Sequence, residues 1–290
     1  MMELKTRDLL LSLSPDVGGS IARCAVRTPA GPFDLLRPAA CGAGDAADSG
    51  CFPLVPFSNR VRDGRFMFRG REVQLPQIAP GQRHPLHGQG WRAVWRTAHR
   101  TRETAVLVFA HEPDDWPWAY EARQTFLVGE GTLQIVLACR NASQDDMPCG
   151  LGLHPYFPCT ERTILDAETT GVRTVDSEIM PVARTAPAGR YDLRHTHICG
   201  QNLDNSYDGW SGRATVEWPD RGIGLALTCD TQFLQLYAPP EGGVFAAEPV
   251  SHANAALNAP ESEWPSLGLR VLAPGEEMTL TVRFELDVSS

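Results

Sequence analysis

At 290 residues, with 42% hydrophobic and 21% charged side chains, the chain has the composition of a folded globular protein rather than a disordered or fibrous one. A net charge of −9 with no long acidic block argues against nucleic acid and anionic membrane surfaces as partners, and no stretch approaches the ~20 apolar residues of a membrane-crossing helix. Lys5 is the single lysine among 26 lysines and arginines, so Schiff-base or phosphate-loop chemistry has no lysine to use beyond the N-terminal segment.

Glu3, Lys5, Arg7 and Asp8 interrupt the N-terminal leucine run, leaving it too charged and too short for a secretion signal. The eight cysteines (24, 41, 51, 139, 149, 159, 199 and 229) include no Cys-x-x-Cys pair and read as free, mostly buried thiols of a cytoplasmic protein. Residues 38–50, 76–81 and 185–189 are expected to be surface loops. None is long enough to divide the chain, which is read as one domain over residues 1–290. Elsewhere the hydrophobic period is two rather than 3.6. Strands are expected over 104–109, 133–140, 214–218, 225–229 and 233–237. The clearest covers 278–286, where Met278, Leu280, Val282, Phe284 and Leu286 alternate with polar residues. Gly129-Glu130-Gly131 reads as a hairpin turn joining 123–128 to 133–140. With 26 glycines and 23 prolines punctuating short strands, the fold class is all-β, an antiparallel sandwich or barrel.

Five clusters could carry chemistry. In Val55-Pro56-Phe57-Ser58-Asn59-Arg60 an Asn-Arg pair ends an apolar segment and offers several hydrogen-bond donors to a hydroxyl-rich ligand; an arginine in a surface ion pair is the alternative. In His84-Pro85-Leu86-His87-Gly88-Gln89-Gly90-Trp91 two histidines stand three apart, but no nearby carboxylate completes a metal-ligand pattern. The glycines beside His87 point instead to close approach of a ligand, with Trp91 as a face for a sugar ring. Gly150-Leu151-Gly152-Leu153-His154-Pro155-Tyr156-Phe157-Pro158 reads as a strand that a backbone or ligand approaches closely. Its prolines leave His154 at a strand end, where it is either a satisfied core histidine or a site residue. Asn202-Leu203-Asp204-Asn205-Ser206-Tyr207-Asp208-Gly209-Trp210 could be a solvated turn before a strand. In Val244-Phe245-Ala246-Ala247-Glu248-Pro249 a lone carboxylate closes an apolar run, where burial would raise its pKa toward that of a general base. Dinucleotide, phosphate-loop and nucleophile-elbow motifs are absent, so the set fits proton transfer on a neutral polar substrate.

Together the clusters resemble the aldose 1-epimerase (galactose mutarotase-like) family. The matching stretches are Asn59-Arg60, Leu86-His87-Gly88, Leu153 to Phe157, Leu203-Asp204-Asn205 with Tyr207 three after the aspartate, Glu248-Pro249 and the closing Leu272 to Glu277. They fall in the family's order across residues 9–287. The resemblance implies one large antiparallel β-sandwich with a monosaccharide in a cleft on one face, no cofactor and no metal, as a monomer or homodimer. It assigns His154 as general acid, Glu248 as general base, and Asn59, Arg60, His87 and Asp204 to the sugar's hydroxyls; Asp208 is the rival of Asp204. Anomer interchange would then follow from removing the C1 hydroxyl proton while protonating the ring oxygen, rotating the open aldehyde and reclosing. With those roles kcat/KM is expected to be bell-shaped, falling in acid as Glu248 protonates and in base as His154 loses its proton. A hexose-6-phosphate 1-epimerase, a non-catalytic carbohydrate binder using Trp91, Trp210 and Trp218, and a glycosidase using Asp204 with Glu248 are the alternatives.

Overall fold

The architecture was obtained as a computed structural model describing residues 1–78 and 81–288. Two large antiparallel sheets dominate it. One has nine strands, running across the sheet as 196–197, 164–167, 213–218, 223–229, 277–288, 132–141, 120–129, 104–111 and 96–100. The other runs 181–185, 171–175, 203–208, 233–238, 244–250, 152–153 and 53–54, with Tyr156–Pro158 also paired to Val244–Val250. Four N-terminal strands, 2–5, 9–14, 20–28 and 31–34, form a separate small sheet. Among the described residues there is no α-helix, only single 3-10 turns.

The period-two pattern decides how the two large sheets meet. Leu280, Val282 and Phe284 of the last strand are buried, as are Leu133, Ile135 and Leu137 beside them. Opposite them lie Leu234, Leu236, Phe245 and Ala247 of the other sheet. Phe157 links the two layers, its ring centroid 5.3 Å from Phe245 and 6.4 Å from Phe284. Trp218 adds a polar tie by donating from Nε1 to the Pro158 carbonyl at 2.7 Å. Truncating a fully buried aromatic such as Phe157 costs about 3–5 kcal/mol, so this contact is a principal clamp between the layers.

The strands expected over 104–109, 133–140, 214–218, 225–229, 233–237 and 278–286 are all present, each extended by one or two residues at one or both ends where backbone pairing outlasts the side-chain pattern; 123–128 lies within a longer strand, 120–129, and 150–158 is broken into 152–153 and 156–158. The hairpin is there as well: Gly129 faces Thr132 across a Glu130-Gly131 turn, with Gly131 at φ 62°. Three expectations need correction. Residues 38–50 are not wholly a surface loop, because a turn at Ala46–Asp48 buries Ala46 and Ser49. Residues 202–210 are not a solvated turn: Leu203–Asp208 is a strand in the middle of a sheet, since Leu203, Asn205 and Tyr207 all find buried positions there. Of the loop 76–81, Ala79 and Pro80 lie outside the described residues.

The third correction concerns the cysteines. Cys159 and Cys199 form a disulfide, with Cα atoms 5.7 Å apart. Cys159 ends the strand after His154 and Cys199 follows the edge strand 196–197, so residues 40 apart are joined by topology that no local spacing could show. Cys24, Cys51, Cys139, Cys149 and Cys229 are buried thiols as expected, and Cys41 is exposed. Thiol titration of protein denatured without reductant is therefore expected to find the six unpaired cysteines; a titre matching all eight would remove the disulfide.

Candidate active site

Three neighbouring strands carry most of the site. Antiparallel pairing sets Asp204 opposite Tyr237 and Gln235 opposite Glu248. Because alternate residues of a strand face opposite ways, Leu203, Leu234, Leu236, Phe245 and Ala247 turn into the sandwich core. Asp204, Gln235, Tyr237 and Glu248 turn to the other face, where they line a cavity of about 220 Å³. Asn59, Arg60, His87 and His154 line the same cavity, so all six site residues expected from the sequence meet in one place.

His154 sits in the break between Gly152–Leu153 and Tyr156–Pro158, where Pro155 cannot continue the ladder. Its backbone N–H donates to the Phe52 carbonyl at 3.0 Å. The imidazole stacks on Phe52 at 4.6 Å and leans on Tyr156 at 4.5 Å. Held this way, Nε2 lies 3.2 Å from Glu248 Oε1, with the histidine 6% and the glutamate 2% exposed. Burial lowers the His154 pKa to about 3, its own backbone carbonyl opposing the shift and Arg37 adding to it. Burial likewise lifts Glu248 well above the usual carboxylate range, reinforced by Asp204 and opposed by Arg60. Burial thus disfavours the charged form of both groups, a condition met when the pair holds one shared proton.

Asn59 and His87 adopt left-handed backbones, at φ 59° and 64°, and bind one another. The Asn59 N–H donates to His87 Nδ1 at 3.0 Å, and the His87 N–H donates to the Asn59 carbonyl at 3.1 Å. With Nδ1 accepting, the ring proton is on Nε2. Burial holds this histidine neutral, its pKa well below the ordinary value, with His154, Arg60 and His252 contributing. His84 gives its Nδ1 to a different amide, that of Asp63 at 3.0 Å, and does not line the cavity. The two histidines therefore diverge rather than converge on one point. The glycine after His87 also serves another purpose than ligand approach: a Cβ at Gly88 would stand 2.4 Å from the Val55 carbonyl oxygen.

Arg60 donates to Asp204 Oδ2 at 3.3 Å and to Asn59 Oδ1 at 3.2 Å, while Gln235 donates to Asp204 Oδ1 at 2.7 Å. Burial raises the Asp204 pKa, and Arg60 and Gln235 work against that rise. Asp208 shares the sheet face of Asp204 but is held elsewhere. Arg184 grips it through two nitrogens, at 3.0 and 2.6 Å, and Arg173 stands 3.4 Å away. The sequence reading had no role for Gln235, Tyr156 or Tyr237, all of which line the cavity. A signal for two of them existed: in Phe233-Leu234-Gln235-Leu236-Tyr237 the leucines mark the core face, leaving Gln235 and Tyr237 on the other. Trp91 reaches the cavity and stacks on Phe52. Trp210 and Trp218 do not, each being buried with its indole N–H on a backbone carbonyl.

Residues 2–285 match the family model described as aldose 1-epimerase. The uncharacterised protein YphB of Escherichia coli K12 is 32% identical over 256 residues, which is 84% of this chain and 86% of YphB. A solved structure from Escherichia coli K12, provisionally described as an aldose 1-epimerase, superposes with a TM-score of 0.88 at 28% identity, covering 99% of this chain and 98% of that one. A galactose mutarotase-like protein from Clostridium acetobutylicum shares the fold, at TM-score 0.86 and 14% identity, over 99% of this chain and 95% of its own.

The two aspartates give separable outcomes. Asp208→Asn weakens a charged hydrogen-bond pair whose arginine is about half exposed, so it is expected to cost about 1–2 kcal/mol of stability and to leave sugar turnover unchanged. Asp204→Asn is expected to lower kcat/KM for the sugar about 10- to 100-fold with little change in stability. Thermal melts and initial rates of both variants check this, and the opposite ranking would show that the wrong aspartate was placed in the site.

Proposed function

The chain belongs to the aldose 1-epimerase family, and from that premise we propose that it interconverts the α and β anomers of an unphosphorylated aldose. The observation that carries this reading is the buried contact of His154 Nε2 with Glu248 Oε1 at 3.2 Å inside a cavity of sugar dimensions. Its volume of about 220 Å³ is below the ~300–1,000 Å³ of pockets for drug-sized ligands and suits one monosaccharide.

A sugar between the two groups would place its C1 hydroxyl on Glu248 and its ring oxygen on His154. The proton shared by the pair can pass from Oε1 to Nε2 across their contact before the sugar separates them. Glu248 then takes the C1 hydroxyl proton as His154 delivers its proton to the ring oxygen, and the C1–ring oxygen bond breaks to leave the aldehyde. After rotation about C1–C2, the same protons return as the ring closes on the other face. Each group contributes ~10²–10⁴-fold, and the hydroxyl contacts of Arg60, Asp204 and His87 supply the positioning.

Several features favour a neutral substrate and a catalytic role. Among the described residues, Arg60 is the one cationic side chain lining the cavity, and Asn59 and Asp204 already engage it. A 6-phosphate would meet Asp204 and Glu248 without a free guanidinium to offset them. A stacking-only sugar binder loses two of its three tryptophans to the core. In a glycosidase reading, Asp204 would have to give up both Arg60 and Gln235 to act on a bond.

The pH dependence follows from the shared proton and revises the expectation drawn from sequence. The working pair holds one proton. The acid limb is then the gain of a second proton, which burial pushes down toward the His154 value of about 3. The alkaline limb is loss of the shared proton, which burial pushes above the usual carboxylate range. Polarimetry of freshly dissolved α-glucose, α-galactose and a pentose is expected to show accelerated mutarotation, with kcat/KM still undiminished at about pH 4.3, the ordinary glutamate value. An acid fall centred at about 4.3 would show that Glu248 titrates as an ordinary carboxylate and that the pair works as separate ions. Glu248→Gln is expected to lose ~10²-fold or more in kcat, and near-normal kcat would remove Glu248 as the base.

A further inference from the structure

We infer that the turn Ser251–Ala255, at the end of the strand that carries Glu248, is a clamp that sets the position of Arg60, with His252 and Asn254 as positioning residues. This rests on the sugar-binding role proposed above for Arg60. His252 is 2% exposed and lines no part of the cavity. Its Nε2 accepts from the Ser58 N–H at 3.0 Å, and the Ser58 hydroxyl is 3.3 Å away. With Nε2 accepting, the proton is on Nδ1, which donates to the Ala253 carbonyl at 2.8 Å. The ring thus has one fixed tautomer, and burial keeps it neutral by lowering its pKa to about 4, against the pull of the Ala253 carbonyl.

Two residues on, Asn254 Oδ1 accepts from the Arg60 N–H at 3.2 Å, sharing that donor with Asn59 Oδ1 at 2.9 Å. Asn254 is itself tied down, its N–H donating to Ser206 Oγ at 3.3 Å and its Nδ2 to the Ile179 carbonyl at 3.1 Å. The turn therefore grips the Ser58-Asn59-Arg60 segment at both ends of Asn59. Gly150, four residues before His154, closes the third side: a Cβ there would stand 2.0 Å from His252 Cδ2.

Left-handed backbones accompany the device, although Asp63, Arg69, Ile179, His195 and Asn202 share that conformation elsewhere in the chain. Asn59, His87 and Ala255 are non-glycine residues with left-handed backbones, at φ 59°, 64° and 58°, and alanine has no side-chain bond to offset that conformation. Such residues persist where surrounding contacts over-determine them, and they cluster at ligand clamps. His252 and Asn254 hold the backbone on either side of Asn59, and Asn59 in turn holds His87. Because the turn follows Glu248 within the same chain segment, one element ties the strand of the carboxylate to the backbone from which Arg60 projects.

The test compares His252→Gln, whose amide can accept from Ser58 and donate to Ala253, with His252→Phe, which can do neither, and with Asn254→Ala as a smaller change. Initial rates on α-galactose and α-glucose are expected to give His252→Phe and Asn254→Ala a KM raised about 10-fold or more with kcat within about 3-fold. His252→Gln is expected to return close to the parent values. Amide hydrogen exchange provides a second readout that needs no turnover: Ser58 should exchange at least about 10-fold faster in His252→Phe, while strand amides such as Leu236 are unchanged. Failure of any sugar to be turned over would count against the epimerase reading, with the exchange data still deciding the clamp. Unchanged KM and unchanged exchange in His252→Phe, or a His252→Gln as impaired as His252→Phe, would overturn it.

Discussion

A carboxyl and an imidazole in contact at 3.2 Å, both almost out of water, are the constraint around which this molecule is arranged. Burying either as a lone ion costs several kcal/mol. A pair in which both groups are neutral avoids most of that cost, and it is this pair to which the proposed function gives the roles of acid and base. Such a pair has to be held by backbone that does not yield. Glu248 stands on a strand paired on both sides, and His154 is fixed by its backbone hydrogen bond to Phe52 and by the adjoining rings of Phe52 and Tyr156.

The same requirement explains which face of the sheet is used. The inner face of the second sheet is committed to Phe284, Val282 and their neighbours across the sandwich, where a substrate has no room. The outer face has to be covered for its acid and base to be shielded, and loops rather than a third sheet provide the cover. Segments 52–60 and 86–91 bring Phe52, Asn59, Arg60, His87 and Trp91 over the strands. Their reciprocal bonds and left-handed residues hold them at a fixed height above the sheet. The cavity is the gap that remains.

Much of this could be read from the chain. Period-two alternation located the strands because each layer of a sandwich buries one face. His154, Glu248, Arg60 and Asn59 stood out as polar groups beside apolar runs, and the resemblance to a known family added His87 and Asp204. Gln235 escaped although it obeys the same alternation, because an amide between leucines is also what an edge strand would carry. The segment 202–210 read as a turn from its Asn, Asp, Ser and Gly content, yet it is a central strand; tertiary burial of Leu203, Asn205 and Tyr207 overrode local preference. The Cys159–Cys199 bond had no local signature at all.

By itself, then, the sequence determined the fold class and most strand positions, since these depend on hydrophobic period, which is local, and it named six candidate site residues through their resemblance to a family. Tertiary structure alone decided three things. The side chains around them gave Asp204 and Asp208, which share a sheet face, different surroundings: the cavity for one and the grip of Arg184 for the other. Packing sent His84 and His87 to different backbone amides. Burial decided where the proton of the His154–Glu248 pair resides, because desolvation is a property of everything that surrounds a group and is written in no single stretch of the chain.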